Sequence, residues 1–315
     1  KREIKPIHGI KTLLESLEIP FCVASSGPEN KIRLNLELTG LLPLFERLID
    51  QYDVVHCYGT DPLWPLLAQK RPWVAFEHST IRHLPFQDSS IGRLTALSYQ
   101  QANRVIITNC DTKKQAEDLK FPHFEFVPHP LNERWVEKGI GHDLGQSLRK
   151  ELDADFICFH PPRQHWEPWR DLVRQGSDKD PSWFKANDIF YEGFARFVKE
   201  VAPKAAIVAV EWGANLEKSK NYLKELGVER VKWIVPQNSR NMLKYIDAAD
   251  LLVDQFWVGA FGTTMPKAMP MGKPSMCYIN HEMHKWCLRE MPPVLNAHRP
   301  DEVFSMLSRA YEDPK

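Results

Sequence analysis

Several short strings place polar side chains where an anion or a proton could be handled. In AFGTTMPKAM (260–269), Gly262 permits a tight turn, and Thr263, Thr264 and Met265 open a helix. The first N–H groups of a helix have no intrahelical partner and lie at its positive end, so such a turn suits an anion. Thr263 or Thr264 also has the chemistry of an N-cap, and the two roles are compatible. Arg163 follows the run DFICFHPP, and Lys185 lies in WFKAND. Arginine grips two oxygens, and lysine acts as a point charge. His78 closes WVAFEH. An imidazole with a pKa of about 6.5 donates to a hydroxyl or shuttles a proton. Glu77 should face the other way, because strand residues alternate. No HxxxH or HExxH occurs, and His281-x2-His284 has no evident third ligand, so no metal site is expected.

These residues need a scaffold, and the apolar runs supply one. PFCVASS (20–26), YDVVHCYG (52–59), WVAFEH (73–78), RVIITN (104–109), FEFVPH (124–129), DFICFHP (155–161), AAIVAVEWG (205–213), VKWIVP (231–236), DLLVDQF (250–256) and PSMCYI (274–279) read as buried parallel strands. Helical-period segments alternate with them, which predicts an α/β fold. The polar residues follow the strands, at the edge where open α/β sheets bind ligands. The stretch 136–150 reads as a crossover and 163–188 as a polar, Trp-rich insert, so two Rossmann-like domains facing across a cleft are expected.

The chain has 315 residues, 43% apolar and 26% charged, which excludes wholesale disorder. Lys+Arg and Asp+Glu are both 41, which argues against a nucleic-acid partner. No run approaches the roughly 20 apolar residues of a transmembrane helix. The start KREIKPIHGIKTLL has no signal-peptide pattern. The six cysteines are scattered without CxxC, as expected of reduced thiols in a cytoplasmic protein.

Two resemblances refine this reading. PIHGIKTLLESLEIPFCVASSGPENKIRLNLELTGLLPLFE resembles the middle of a haloacid-dehalogenase-type sugar phosphatase, with Ser25 at the phosphoryl-binding position. The family's Asp-x-Asp-Gly-Thr nucleophile loop is missing: Asp153-Ala-Asp155 and Asp178-Lys-Asp180 neither follow a strand nor precede Gly-Thr. Asp250 and Asp254 share only a DxxxD spacing with its metal-binding acids. Without the nucleophile no aspartyl-phosphate forms. The segment 1–48 is therefore read as a βα scaffold that completes an atypical or incomplete N-terminal domain.

From about residue 49 the sequence resembles a family-4, GT-B-type glycosyltransferase. RLIDQYDVVHCYGTDPLWPLLAQKRPWVAFEHSTIRHLPF, ANRVIITNCDTKKQAEDL and FVPHPLNE match its N-terminal domain, here 49–150. HPPRQHW, KANDIFYEGFARFV, IVAVEWG, LKELGV, ADLLVDQF, AFGTTMPKAM and MGKPSM match its nucleotide-sugar domain, here 151–315. The resemblance implies transfer of a sugar, with retention, from a nucleotide diphosphate-sugar to a hydroxyl acceptor, with no cofactor or metal. It places Arg163, Lys185, Gly262, Thr263 and Thr264 on the donor diphosphate, with Arg170 or Arg174 as substitutes for either basic residue. It places Asp254, Gln255 and Lys267 at the donor sugar or nucleotide, and His78 beside the reacting sugar. Asp61 and Trp64 in GTDPLWPLL suit an acceptor sugar, since aromatic faces stack on sugars. The family's Glu-x7-Glu falls here on Gly259 and Lys267. Lysine cannot accept hydrogen bonds from a ribose. That departure leaves a catalytically impaired binding or scaffold protein of the same fold as an alternative, and a sugar-phosphate phosphatase as a second. Peripheral membrane contact stays open as well.

Overall fold

The computed structural model describes residue 12, residues 34, 35 and 37–40, and residues 53–129, 136, 137, 139–167, 184–260 and 262–313. The chain divides into two compact units, Lys1–Pro128 and His129–Lys315. The expected strand 20–26, with Ser25, and nearly all of the phosphatase-like segment lie outside the described residues, as do Arg170 and Arg174.

In the first unit, β1 (Val55–Tyr58), β2 (Trp73–Phe76), β3 (Arg104–Ile107) and β4 (Phe124–Phe126) form a parallel sheet in the order β1-β2-β3-β4. Helices α1 (Leu63–Leu67), α2 (Ser90–Gln100) and α3 (Lys113–Asp118) make the crossovers. Ser89 starts α2 by accepting the Gly92 N–H at 3.1 Å, which satisfies an end group the helix cannot. Trp73, Tyr99, Val105 and Ile107 are fully buried. The Tyr99 hydroxyl also donates to the Gly59 carbonyl at 2.6 Å, tying α2 to the turn after β1.

In the second unit, β5 (Phe156–His160), β6 (Ala205–Val210), β7 (Val231–Ile234), β8 (Leu251–Val253), β9 (Ser275–Cys277) and β10 (Leu295–Asn296) form a parallel sheet in the order β10-β9-β8-β5-β6-β7. Helices α4 (His142–Leu152), α5 (Asn187–Glu200), α6 (Leu216–Glu225), α7 (Ser239–Ala248), α8 (Met265–Ala268), α9 (His281–His284) and α10 (Pro300–Glu312) complete it among the described residues. This is the Rossmann strand order, and its direction reverses between β5 and β8.

Alternation explains the two-sided core. Phe156 and Cys158 of β5 join Phe190, Phe194 and Phe197 of α5 and Val303 and Leu307 of α10 on one face. Ile157 and Phe159 join Leu148 of α4 and Leu243 and Ile246 of α7 on the other. Within the expected crossover 136–150, α4 packs so closely on α7 that a Cβ on Gly141 would lie 2.2 Å from the Lys244 carbonyl oxygen. The mixed α/β architecture with parallel sheets agrees with the sequence reading. No helix among the described residues is long and apolar enough to cross a membrane.

Candidate functional site

The reversal between β5 and β8 leaves a crevice at their carboxyl ends, and the second unit carries a pocket of about 450 Å³ there. Its lining includes the charged and polar residues Arg163, Lys185, Asp254, Gly262, Thr263 and Thr264. It also includes Val210, Trp212, Pro236, Gln237, Ser239 and Met242, from the end of β6, the segments after β6 and β7, and α7.

The loop after β5 is held by buried polar bonds. The Gln164 N–H donates to the Trp212 carbonyl at 2.8 Å, and the Gln164 carbonyl accepts the Asn215 N–H at 2.8 Å. Its side-chain Oε1 accepts from the Tyr191 hydroxyl and from Ser219 Oγ. Gly213 is required opposite it: its φ is +112°, and a Cβ there would lie 2.4 Å from the Gln164 nitrogen. The Arg163 guanidinium lies 5.3 Å from the Trp212 ring centre, and Trp212 Nε1 donates to the Pro161 carbonyl at 3.0 Å.

Lys185 reaches the site from the segment before α5. Its N–H donates to the His165 carbonyl at 2.7 Å, and its carbonyl accepts the Phe256 N–H at 3.0 Å. Its ammonium donates to Gln255 Oε1 at 2.8 Å. Gln255 Nε2 in turn donates to the Ala260 carbonyl at 2.7 Å, which fixes the turn before Gly262. Burial raises the pKa of Asp254, while the Lys185 charge and the Gly262 and Gln255 backbone groups pull it back. Asp254 Oδ2 is buried without a hydrogen bond of normal geometry.

The expected helix opening exists, but α8 spans only four residues, and Thr264 makes no side-chain capping bond. The turn therefore contributes pocket wall more than helix dipole. Lys267 ends α8 outside the pocket lining. It is half-buried, makes no ion pair among the described residues, and has its pKa lowered by desolvation. Asp250 does not join Asp254: it accepts the Ile157 N–H at 2.7 Å and pairs with Arg149, tying β8 to β5 and α4. Among the described residues, no three His, Cys, Asp or Glu converge as metal ligands.

His78, Asp61 and Trp64 belong to the first unit. His78 is exposed after β2, with its ring 5.2 Å from that of Tyr58. Desolvation, and then the Arg82 charge, lower its pKa. Asp61 is half-buried, which raises its pKa, and Trp64 stands exposed on α1. Glu77 faces inward, as alternation requires, and is fully buried. Asn109 Nδ2 donates to its Oε2 at 3.2 Å, while Oε1 has no hydrogen bond of normal geometry. Beside it, Arg82 pairs with both oxygens of Asp111 at 2.6 and 2.7 Å and holds Ser79 Oγ at 2.8 Å.

The sequence reading missed Trp212, Pro236, Gln237, Ser239 and Met242, because only the strand order brings them to the pocket. Glu77 was readable as an acid ending an apolar run.

No family model and no curated protein matches the chain. Solved structures do match it. Anabaena HepE in complex with UDP and glucose is 17% identical, with a TM-score of 0.61 over 96% of this chain and 79% of its own. Sucrose-phosphate synthase from Thermosynechococcus elongatus is 14% identical, with a TM-score of 0.57 over 92% and 72%. The N-terminal domain of Candida albicans trehalose-6-phosphate phosphatase is 11% identical, with a TM-score of 0.56 over 93% and 69%. That last likeness extends over most of the chain, so it is not confined to the phosphatase-like segment at 1–46. The fold of the chain is the one found in GT-B glycosyltransferases.

Proposed function

We propose that the chain binds a nucleotide diphosphate-sugar in the second unit's pocket and transfers the sugar, with retention, to a hydroxyl acceptor. The observation that carries this reading is the mixed lining of that pocket. The cations Arg163 and Lys185 suit a diphosphate, and Trp212, Pro236 and Met242 suit a planar base. The UDP bound by HepE supports the same choice.

In the transfer, the bond from the sugar's anomeric carbon to the diphosphate oxygen breaks, and negative charge builds on the departing diphosphate. A new bond forms from the anomeric carbon to the acceptor oxygen as that hydroxyl passes its proton to the departing phosphate oxygen. Arg163 and Lys185 stabilise the departing charge, which is worth more in a partly dry pocket than in water. Gly262, Thr263 and Thr264 form the wall beside the diphosphate. Asp254 and Gln255 orient Lys185 and face the sugar. The family resemblance assigns His78 to the reacting sugar, Asp61 and Trp64 to the acceptor, and Lys267 to the nucleotide. The scattered cysteines, with no CxxC among them, favour a reducing compartment such as the cytoplasm.

Lys267 favours a second reading, a binding protein without turnover, because a half-buried cation stands where the family has an acid. Thermal melting with UDP, GDP, ADP and their sugar conjugates tests the donor site. A ligand at 100 times its dissociation constant adds about 2.7 kcal/mol to the folded state. A shift with one nucleotide selects the donor for a transfer assay; binding without transfer to any sugar acceptor supports the second reading. No shift with any nucleotide, in a protein that melts cooperatively, refutes the transferase and leaves a scaffold without a donor site.

A further inference from the structure

His160 and Asn187 are fully buried polar residues that the proposed transfer does not use. They form a hydrogen-bonded chain whose two ends are backbone groups. His160 Nδ1 lies 3.0 Å from the Val253 carbonyl oxygen. The His165 N–H donates to Asn187 Oδ1 at 3.1 Å. Between them, Asn187 Nδ2 lies 2.8 Å from His160 Nε2. A carbonyl only accepts and an N–H only donates, so the ends dictate the direction of every link. Nδ1 carries the imidazole hydrogen, Nε2 accepts from the Asn187 amide, and the Asn187 carbonyl turns to His165. Burial pushes the His160 pKa down to about 4, which keeps the ring neutral.

The tied positions bracket the charged residues of the pocket. Arg163 lies between His160 and His165, Lys185 lies two residues before Asn187, and Asp254 follows Val253. Resting on the nucleotide reading above, we propose that His160 and Asn187 are positioning residues: their hydrogen-bond chain sets the spacing of Arg163, Lys185 and Asp254, and so the fit of the pocket to a diphosphate. The chain joins three segments that no single strand holds together: the end of β5, the start of α5 and the end of β8.

Asn187→Asp tests this with little change of shape. An aspartate still accepts the His165 N–H, but it sets a second acceptor against the His160 Nε2 lone pair. The two repel until His160 takes a proton, after which Nε2–H donates to the carboxylate and the chain is restored. The ionisable neighbours are Cys158 on β5, Lys185 before α5, Asp188 and Tyr191 on α5, and Asp254 after β8. Burial pushes Cys158 and Tyr191 upward, away from the neutral range. Asp254 and the UDP phosphates titrate in both proteins, so the wild-type curve is the reference.

UDP and inorganic pyrophosphate binding is measured by calorimetry across the pH range. Relative to wild type, Asn187→Asp should bind nearly as well in acid and about tenfold more weakly once His160 loses its added proton, the scale of one misaligned charge-assisted contact. His160→Gln, whose amide can donate to Val253 and accept from Asn187, should stay within about threefold of wild type at every pH. His160→Phe should lose binding of both probes while still melting cooperatively. If Asn187→Asp runs parallel to wild type, or if folded His160→Phe binds normally, the positioning role is overturned and the nucleotide reading survives. If wild type binds neither probe, the nucleotide reading itself falls, and this inference with it.

Discussion

Glu77→Gln should change how the first unit's stability depends on pH. Glu77 sits just past β2, fully buried, with Oε2 accepting from Asn109 and Oε1 lacking a hydrogen bond of normal geometry. Burial pushes its pKa from 4.5 up to about 7, against the opposing pull of the Arg82 charge, the Asn109 amide and the Ile81 N–H. Between those values the folded chain keeps a proton that the unfolded chain has released. The folded state then binds more protons, so stability falls as pH rises through this window. Below it the carboxyl is neutral in both states and costs nothing. Above it the full cost is about 3 kcal/mol, at 1.36 kcal/mol per pKa unit.

Glutamine carries no charge and removes this dependence. It also buries an amide N–H₂ beside the Ile81 N–H, where Oε1 lacks a hydrogen bond of normal geometry, at a cost of about 1–3 kcal/mol. Wild type should therefore be the more stable protein at about pH 5, and the variant should gain on it by about 3 kcal/mol by about pH 8. For a unit of this size that is on the order of 10 °C in the difference of melting temperatures. Calorimetric melting of both proteins at the two pH values reads the difference directly, and contributions from other groups cancel. A melting difference that does not change with pH would refute the buried, protonated carboxyl.

Three further outcomes follow from the second unit. Lys185→Met removes the cation that donates to Gln255 and offsets Asp254, and should weaken UDP binding about 10- to 100-fold by calorimetry, the range for hydrogen bonds to a charged group. Trp212→Ala should cost more affinity for UDP than for pyrophosphate, because the ring offers a face to the base, while its contact with Arg163 at 5.3 Å touches both probes. Gly213→Ala combines a φ of +112° with a Cβ 2.4 Å from the Gln164 nitrogen. It should destabilise the second unit by at least about 2 kcal/mol in urea unfolding.

How much of this was legible in the sequence depended on the range of the interactions. Every apolar run from residue 52 onward contains a strand, and β5, β6, β8 and β9 are buried on both faces as expected, whereas β1 and β4, at the two ends of their sheet among the described residues, are partly exposed. β10, with two residues, is too short to leave such a run. α4 was hidden because Gly141 and Gly145, which the contact with α7 demands, look like loop residues. At the site, Arg163, Lys185, Asp254, Gly262, Thr263 and Thr264 were readable because each follows or faces a strand end, and the structure brings all six to one pocket. Trp212, Gln237 and Met242 were not, because their place depends on β6 and β7 lying beside β5. His160 carried a signal that went unused. Alternation along FICFH puts it on the same face as Phe156 and Cys158, where a polar residue must find partners.

The two units share one costly feature. Glu77 immediately follows β2, and Asp254 immediately follows β8. Each is a buried carboxyl with its pKa raised by burial, and each has one oxygen without a normal hydrogen bond, Oε1 and Oδ2. Neither is needed to build its sheet: the strands end before them, and the apolar faces are complete without them. Replacing such an acid by an apolar residue of similar size would relieve a desolvation cost, so stability alone gives no reason for either. Both stand at the carboxyl edge of a parallel sheet, where ligands enter α/β folds. Their cost is therefore best explained by function: Asp254 by the charge balance of the pocket around Lys185, and Glu77 by the loop that carries His78.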